Sequence, residues 1–344
     1  MLSLKIFDFE LHQKQAFKVS RESYHSQNYI IVELGNGSDK GYGEAVAFSV
    51  YGATVEGIHS AIESVRDKIT AHQFSTPEKF WRDCIAPIDG CPFAKCALDT
   101  AAHDLYGKSQ TKPLYELLGL DVSEPRYSNF SIGMDDCTIV KNIATQKADW
   151  PILKVKLGND DDLKRIETIR QYSDAVIHVD ANAGWNIKKT LEIAPKLADL
   201  GVKSIEQPLP VEDWEGAQHL NQHCPLPIIA DESCFDEDSF KRCLNNFHGI
   251  NIKLMKVGGI TPALNMIRRA KAAGVDIMIG CMPETTIGAS AIAHLSPLVD
   301  YVDMDSIEFL QTDLAVGIHL EKGKICHNHR PGLGFKCNEG IFTL

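Results

Sequence analysis

The stretch from Lys154 to Lys253 decides the fold, because five short apolar segments recur in it and each carries a charge near its C-terminal end. The segments end in Lys154-Val155-Lys156, Val179-Asp180-Ala181-Asn182, Ile205-Glu206-Gln207-Pro208, Ala230-Asp231-Glu232-Ser233 and Ile252-Lys253. Short β-branched runs of this kind are typical of buried parallel strands. Their spacing of about 25 residues is close to the length of one βα unit. Charges repeated in this way are expected on one rim of a barrel, at the C-terminal ends of its strands.

The same alternation continues on both sides of this stretch. A further strand is expected near 127–133 and two more at 276–281 and 301–306, with helices between strands, for example over 187–200 and 260–273. Eight successive βα units favour an α/β fold with a closed (β/α)8-type barrel, a modified TIM barrel, over an open sheet.

The N-terminal part of the chain has a different pattern. Strands are expected over 1–12, 27–35 and 42–48, followed by helices over 54–69, 76–83, 93–105 and 114–118. Strands first and helices after predict a separate α+β domain. We therefore expect this domain over 1–120, with the tail 325–344 packing back on it, and a (β/α)7β-type barrel over 121–324.

Composition limits the partners of the chain. It has 344 residues and a net charge of −11, with scattered Lys and Arg, so we expect no nucleic-acid partner. No apolar run approaches the ~20 residues that span a membrane, and the N-terminus does not read as a signal peptide. Its ten cysteines are irregularly spaced and contain no Cys-x-x-Cys, which favours free thiols and a cytoplasmic location.

Three acidic residues follow neighbouring strands of the predicted barrel: Asp180, Glu206 and Asp231. Any one of them taken alone could instead cap the helix that follows, since Asp is a common N-cap residue. Three carboxylates in consecutive units would repel each other unless a cation neutralised them. Hard oxygen donors suit Mg²⁺, with Mn²⁺ as a substitute, better than Zn²⁺. The pattern therefore predicts a metal site.

Lysines are predicted on both sides of this metal site. Lys154 and Lys156 share one face of their strand because they are two residues apart, and Lys253 ends the sixth strand, across the barrel. A single lysine in an apolar strand would mean little, since it can snorkel to the edge. Two amines that face each other across a metal-bound carboxylate could remove an α-proton and return one to the opposite face. That chemistry inverts a stereocentre.

With these residues in view, the chain resembles the enolase superfamily, muconate-lactonising-enzyme subgroup. It is most similar there to the dipeptide epimerases of the L-Ala-D/L-Glu type. The matching stretches are Lys-Val-Lys at 154–156, Asp-Ala-Asn-Ala-Gly-Trp at 180–185, Glu-Gln-Pro at 206–208, Asp-Glu-Ser at 231–233, Asn-Ile-Lys-Leu-Met-Lys-Val-Gly-Gly at 251–259 and Pro-Gly-Leu-Gly at 331–334. A Lys base with Mg²⁺ is a general pattern of this superfamily.

The resemblance implies a role for each of the residues above. Lys156 and Lys253 would be the acid/base catalysts, and Lys154 would help to neutralise the substrate carboxylate. The three acids would bind Mg²⁺, and the N-terminal unit would cap the barrel mouth. The implied reaction is epimerisation at the α-carbon of the C-terminal residue of a dipeptide, through a metal-stabilised enolate. The implied partner is a small-molecule dipeptide, and the sequence leaves assembly into a homo-oligomer open.

The ends of the substrate point to further residues. Asp303 and Asp305 lie on one face of the eighth strand and either bind the free α-amino group of a dipeptide, as the resemblance implies, or cap the last helix. By the same resemblance, the second side chain would meet the capping loop, the turn with Tyr51, and the seventh-strand loop. In the capping loop, Lys14, Lys18 and Arg21 are the candidate cations for an acidic side chain. In the seventh-strand loop, the expected substrate-binding residues are Cys281, Met282 and Thr286.

Two features of these loops leave the second residue of the substrate open. The sequence reads Gln13-Lys14-Gln15-Ala16-Phe17 where a Pro-Phe pair is common in the family, and Thr286 stands where Ala-Glu epimerases tend to have Lys. The second residue is therefore Glu or a small or hydrophobic residue. The alternative functions are o-succinylbenzoate synthase or N-acylamino-acid racemase of the same subgroup, and a non-catalytic metal-binding barrel.

Overall fold

The chain begins with a three-stranded antiparallel sheet in the order β1-β2-β3. In this computed structural model, which describes residues 1–18, 23–338 and 340–342, the strands are β1 (Ser3–Lys18), β2 (Ser23–Gly35) and β3 (Lys40–Val46). The first two are longer than the apolar pattern predicts, because their backbones continue to pair beyond it, with Phe17 opposite Tyr24. Backbone pairing needs no apolar side chains, so the pattern underestimates the length of this hairpin.

Helices cover the sheet after β3. They are α1 (Val55–Glu63), α2 (Arg66–Ala71), α3 (Pro77–Phe80), which continues as a π-helical turn over Trp81–Ile85, α4 (Pro92–Ser109) and α5 (Leu114–Leu117). The single helix expected over 54–69 is therefore two helices, broken at Ser64 and Val65. Thr76 begins α3 as expected, since its side chain accepts a hydrogen bond from Lys79 N at 3.3 Å and Pro77 follows it.

Helix α4 packs directly on the backbone of β3. A β-carbon at Gly41 would lie 2.1 Å from Ala101 O, and one at Gly43 would lie 2.0 Å from Ala97 O. The two glycines share one face of the strand, so they open a groove for the helix. Glu44, the next residue, lies on the other face of β3. This face is turned toward the barrel, where Glu44 contacts Thr285.

Eight parallel strands follow, each hydrogen-bonded to its neighbour in chain order. They are β4 (Phe130–Ile132), β5 (Ile152–Lys156), β6 (Val176–Asp180), β7 (Val202–Glu206), β8 (Ile228–Ala230), β9 (Gly249–Lys253), β10 (Asp276–Gly280) and β11 (Tyr301–Asp303). A parallel bridge between Ser128 and Val302 joins the two ends, where Asn129 N donates to Val302 O at 3.1 Å. The predicted barrel with an N-terminal capping domain is confirmed.

Helices surround the barrel. They are α6 (Cys137–Gln146), α7 (Asp162–Arg170), α8 (Ile187–Asp199), α9 (Trp214–His223), α10 (Glu237–Asn246), α11 (Leu254–Val257), α12 (Ile260–Ala273), α13 (Thr286–Leu295) and α14 (Ser306–Phe309). Side chains of Asn186, Asp213 and Asp236 cap α8, α9 and α10. No helix within the described residues combines the length and the apolar character that crossing a bilayer requires.

The C-terminal segment returns to the capping sheet. It contains β12 (Ala315–Val316), which pairs with β15 (Lys336–Cys337), and β13 (His319–Glu321), which pairs with β14 (Lys324–Cys326). Phe342 packs edge-to-face against Phe7 and Phe9 of β1, with ring centroids 5.1 and 5.5 Å apart. These ring contacts attach the tail to the N-terminal sheet, as expected.

Candidate active site

Three buried carboxylates meet at the C-terminal rim of the barrel. Asp180 ends β6 opposite Glu206 at the end of β7, and Asp231 directly follows β8. One oxygen from each of the three lies within 4.8 Å of the others. The helices that follow these strands are capped by other residues, so the three acids are not N-caps. We call this group the carboxylate cage.

Neighbouring amide side chains hold the cage in position. Asn251 Nδ2 donates to Glu206 Oε1 at 2.8 Å, across the barrel interior from β9. Gln207 Oε1 accepts hydrogen bonds from Asp231 N and Ser233 N, both at 3.0 Å. Gln207 has a positive φ of 37°, a strained backbone conformation that its two amide contacts help to maintain.

The two predicted catalytic lysines contact different members of the cage. Lys156 Nζ lies 2.6 Å from Asp180 Oδ2, and Lys253 Nζ lies 2.8 Å from Asp231 Oδ2. Their strands, β5 and β9, lie on the two outer sides of the three strands that carry the cage. The amines therefore approach the cage from opposite sides. Each side chain is 10% exposed.

Two further lysines join the network. Lys154 Nζ lies 2.8 Å from Glu206 Oε2 and 2.7 Å from Asp303 Oδ2, and Lys256 Nζ lies 2.6 Å from Asp231 Oδ1. Burial opposes a charge on Lys154, but the surrounding carboxylates, led by Asp303 and Glu206, hold its pKa well above the usual value. Lys154 is therefore a charged, buried link between the cage and the eighth strand.

The charge balance of the barrel mouth fits a divalent cation. The mouth gathers the carboxylates of Asp180, Glu206, Asp231, Glu232, Asp303 and Asp305 and the amines of Lys154, Lys156, Lys253 and Lys256. Among the described residues of the mouth, acids thus outnumber amines, and burial raises the pKa of Glu206 to about 7. Buried excess charge is unfavourable unless it is compensated. Carboxylate oxygens are ligands that suit Mg²⁺, so the residues fit the implied metal.

Asp303 and Asp305 differ in their surroundings. Asp303 accepts from Asn129 Nδ2 at 2.9 Å and from Lys154 Nζ at 2.7 Å, and although burial opposes it, Lys154 lowers the pKa of this carboxyl. Asp305 accepts from the backbone amide of Ser131, and burial together with the charge of Asp303 raises its pKa to about 7. Within the described part of the chain, no lysine or arginine forms an ion pair with Asp305, whereas Asp303 has Lys154 as its counter-ion.

A cavity of about 130 Å³ lies over the cage and the eighth strand. Its polar floor is formed by the three lysines of β5 and β9 together with Asp231, Asp303 and Asp305. The capping domain supplies Phe48, Val50 and Tyr51, and the barrel loops add Met282, Pro283 and Phe309. Tyr51 stacks on Phe235 with its ring plane inclined by 2°, and on Phe48.

Most of the residues predicted for the site meet in this cavity. They are Lys154, Lys156, Lys253, Asp231, Asp303, Asp305, Tyr51, Cys281 and Met282, with Asp180 and Glu206 beneath them in the cage. Thr286 is not brought into the cavity as described. It is the first residue of α13, and its hydroxyl donates to Asp313 at 2.9 Å. Arg21 lies outside the described residues, and Lys14 donates to the backbone of Glu308 at 2.8 Å.

Several residues of the site were not singled out from the sequence. Asn251 could have been found, because it lies two residues before Lys253 and therefore shares its face of β9, as Lys154 and Lys156 share a face of β5. Lys256 follows β9 by three residues without any local signal of its contact with Asp231. Asn129 directly precedes β4 and Ser131 lies within it; the closed barrel predicts that this strand meets the eighth one, but nothing local marks these two residues as partners of Asp303 and Asp305.

Comparison with known families and structures agrees with this site. Residues 1–119 match the mandelate racemase / muconate lactonizing enzyme N-terminal domain, and residues 139–341 match an enolase C-terminal domain-like family. An L-Ala-D/L-amino acid epimerase of Maribacter sp. (strain HTCC2170) is 42% identical over 339 residues, covering 98% of this chain and 99% of the relative.

Two solved structures are similar in fold along nearly the whole chain. One is a substrate-liganded L-Ala-D/L-Glu epimerase from Bacillus subtilis, with a TM-score of 0.91 and 29% identity, covering 97% of this chain and 98% of that one. The other is a dipeptide epimerase from Enterococcus faecalis V583, complexed with Mg and L-Leu-L-Tyr. Its TM-score is 0.91 at 30% identity, and the match covers 96% of this chain and 98% of that one.

Proposed function

Because the chain belongs to the mandelate racemase / muconate lactonizing enzyme family, with its enolase-like C-terminal domain, we propose that it is a Mg²⁺-dependent dipeptide epimerase. It inverts the α-carbon of the C-terminal residue of an L-Ala-Xaa dipeptide, where Xaa is Glu or a small or hydrophobic residue. We further propose that residues 1–120 with 325–344 form the capping domain and that 121–324 form the barrel. A cytoplasmic location, which the ten free cysteines support, remains a prediction, and whether the chain assembles into a homo-oligomer stays open.

One observation carries this proposal: the amines of Lys156 and Lys253 flank one cage from opposite sides. A substrate carboxyl group bound at the cage places its α-carbon between them. One lysine then takes the α-proton, and the C–H electron pair moves into the adjacent carboxyl group. The other lysine donates a proton to the opposite face of the same carbon. The configuration is inverted with no net gain or loss of atoms, and the two lysines exchange roles in the reverse direction.

The cage residues Asp180, Glu206 and Asp231 would hold the metal ion. When bound, Mg²⁺ acts as a Lewis acid that polarises the substrate carboxyl group and makes the α-proton more acidic. Lys154 supports this arrangement from below the cavity, since its amine contacts both Glu206 and Asp303 and its charge favours the ionised form of each carboxyl group against the effect of burial. Asn251 orients Glu206 from the far side.

The free amino group of the dipeptide would bind at the eighth strand. Since none of the described cationic side chains forms an ion pair with Asp305, a substrate ammonium group would supply its counter-ion. An N-acylated amino acid carries no such charge and would leave Asp305 uncompensated. This argument favours a dipeptide over the substrates of o-succinylbenzoate synthase and N-acylamino-acid racemase. The apolar rings of Phe48, Tyr51 and Phe309 support a hydrophobic second side chain.

Incubation in D₂O with Mg²⁺ and a panel of L-Ala-Xaa dipeptides tests the proposal. We expect mass spectrometry to find one deuterium, at the α-carbon of the C-terminal residue, together with conversion of L-Xaa to D-Xaa. N-acetyl amino acids serve as the control substrates. Faster turnover of these N-acyl compounds than of any dipeptide would contradict the proposal, as would an absence of exchange with every substrate.

A further inference from the structure

A buried carboxylate of the capping sheet reaches into the barrel. Glu44 on β3 accepts hydrogen bonds from the backbone amide of Thr285 at 2.9 Å, from the hydroxyl of Thr285, and from Gly288 N at 3.4 Å. The side chain is fully enclosed, with 1% of the residue exposed. These contacts join β3 to the N-terminus of α13, where a carboxylate is favoured.

The contact lies at the end of a loop that lines the cavity. The loop runs from the end of β10 to the start of α13 and places Cys281, Met282 and Pro283 on the cavity wall. The thiol of Cys281 lies within 4.8 Å of carboxylate oxygens of Asp303 and Asp305. The wall beside the proposed ammonium site is therefore built from this loop, which we call the 281–285 loop.

Carboxylates hold the 281–285 loop at three points. Glu44 holds Thr285 from the capping domain, and Asp313 accepts hydrogen bonds from Thr286 N at 3.1 Å and from its hydroxyl at 2.9 Å. Glu284 Oε1 accepts from Met282 N at 3.1 Å inside the loop. Of these three carboxylates, Glu44 belongs to the capping sheet, whereas Asp313 holds Thr286, the residue directly after the loop, and Glu284 lies within the loop itself. The position of the cavity wall thus depends in part on how the capping domain is docked.

We infer that Glu44 is a positioning residue that sets selectivity for the N-terminal residue of the dipeptide, by fixing the 281–285 loop against the ammonium site. This inference rests on the proposed function and extends it to a residue of the capping sheet that touches no substrate. The N-terminal side chain must lie beside the group that binds its ammonium, and there it meets Cys281 and Met282. A firmly held loop keeps this space small and so favours alanine over larger residues.

The chain offers a matched control for this contact. Asp99 on α4 also reaches from the capping domain to a barrel helix, where it accepts from the backbone amide and the hydroxyl of Thr261, both at 2.7 Å. The bonded groups are of the same kind, and Asp99 is equally buried. The loop before Thr261 contributes no residue beyond Lys253 to the described cavity lining. Asp99→Asn therefore weakens domain docking without moving the cavity wall.

Two variants weaken the Glu44 contact from its two sides. Glu44→Gln keeps the shape but has one acceptor oxygen, so no more than one of the two Thr285 donors keeps its acceptor. Thr285→Val removes the hydroxyl bond with little change in volume; the backbone amide bond to Glu44 stays, and the cap that the hydroxyl provides to Ile287 N is lost as well. Selectivity is measured as the ratio of kcat/KM for L-Ala-L-Leu to that for L-Leu-L-Leu. We expect either variant to lower this ratio about tenfold, the scale of hydrophobic size discrimination, mainly through KM. The double variant should lower it no further than the stronger single variant.

Hydrogen–deuterium exchange gives a second readout that does not require activity. Peptides that cover 281–288 should exchange faster in Glu44→Gln and in Thr285→Val than in the wild type, while Asp99→Asn should affect only peptides near 258–263. The inference is overturned if Glu44→Gln matches the wild type in both readouts, or if Asp99→Asn lowers the selectivity ratio equally. A wild type that exchanges no α-proton would refute the proposed function, and unchanged 281–288 exchange would still refute the role of Glu44.

Discussion

Lys154 donates a 2.7 Å hydrogen bond to Asp303, a residue 149 positions later in the chain. This contact neutralises one acid of the eighth-strand pair from within the protein. Asp305, two residues on, accepts from a backbone amide, and no lysine among the residues that the structure describes bonds to it. The two acids therefore cannot be equivalent toward a cationic substrate, and Asp305 is the one whose charge a substrate ammonium would balance.

Asp305→Asn should weaken binding of dipeptides with a free amino group. A hydrogen bond to a charged group contributes about 1.5–3 kcal/mol, so we expect KM to rise roughly 10- to 100-fold. The asparagine oxygen can still accept from Ser131 N, which preserves the fold. Steady-state kinetics with L-Ala-L-Leu measures the change, with the exposed Asp174→Asn as the control. An unchanged KM would show that the amino group binds elsewhere.

Lys156→Ala and Lys253→Ala should each abolish epimerisation, because inversion needs a proton donor on one face and an acceptor on the other. Loss of one acid/base group reduces the rate by roughly 10²–10⁴-fold. Each variant should still be able to exchange the α-proton of one enantiomer with D₂O, with the enantiomers reversed between the two variants. Proton NMR in D₂O with L,L- and L,D-dipeptides distinguishes them. Lys203→Ala, on an exposed part of β7, should behave as the wild type. Normal epimerisation by either lysine variant would disprove the two-base assignment.

Removal of Mg²⁺ should lower both activity and thermal stability. A ligand that binds only the folded state adds about 2.7 kcal/mol at 100 times its Kd, so Tm should rise with Mg²⁺ concentration and fall on addition of EDTA. Mn²⁺ should substitute. Asp231→Asn should remove most of the Mg²⁺-dependent rise in Tm, whereas Asp238→Asn, whose side chain is 92% exposed, should retain it. A rise in Tm that is the same in both variants would place the metal outside the cage.

Stability should depend on the protonation of a histidine remote from the site. Burial lowers the pKa of His294 to about 3, and its Nδ1 accepts a hydrogen bond from Tyr115 N at 3.0 Å. The unfolded chain, with an ordinary histidine pKa near 6.5, binds this proton first as pH falls. As pH falls from about 6.5 to 3, His294 therefore lowers the free energy of unfolding by up to about 1.4 kcal/mol per pH unit.

His294→Asn should make this part of the stability profile less steep, since the asparagine oxygen can accept from Tyr115 N but does not titrate; His103, whose pKa burial also lowers to about 3, keeps its own contribution. Urea unfolding of both proteins at several pH values measures the difference between the two slopes. Equal slopes for the wild type and the variant between pH 4 and 6 would show that His294 is not held neutral.

The hairpin and the first helix show where local patterns reach their limit. Apolar alternation predicted the strand positions but missed the polar extension from Gln13 to Lys18, since main-chain pairing does not depend on side-chain polarity. The helical period over 54–69 correctly predicted helical structure, but it gave no sign of the break at Ser64. Thr286 shows the same limit of local patterns. It follows Cys281 in the same loop, so the sequence predicts both in the substrate site, but Thr286 begins α13 and its hydroxyl donates to Asp313 instead.

The sequence by itself determined that the chain forms a barrel and which acids and lysines lie on one rim of it. Strand period and βα spacing are local properties, and together they place the C-terminal ends of all the strands at the same edge. Only the tertiary structure decided which of these charges meet. Lys154 reaches Asp303, Asn251 reaches Glu206, and Glu44 reaches Thr285 across 241 residues. Such pairings depend on strand register and on how the capping domain docks. Both are set by the packing of the whole core, and neither leaves a signature in the residues on either side of a contact.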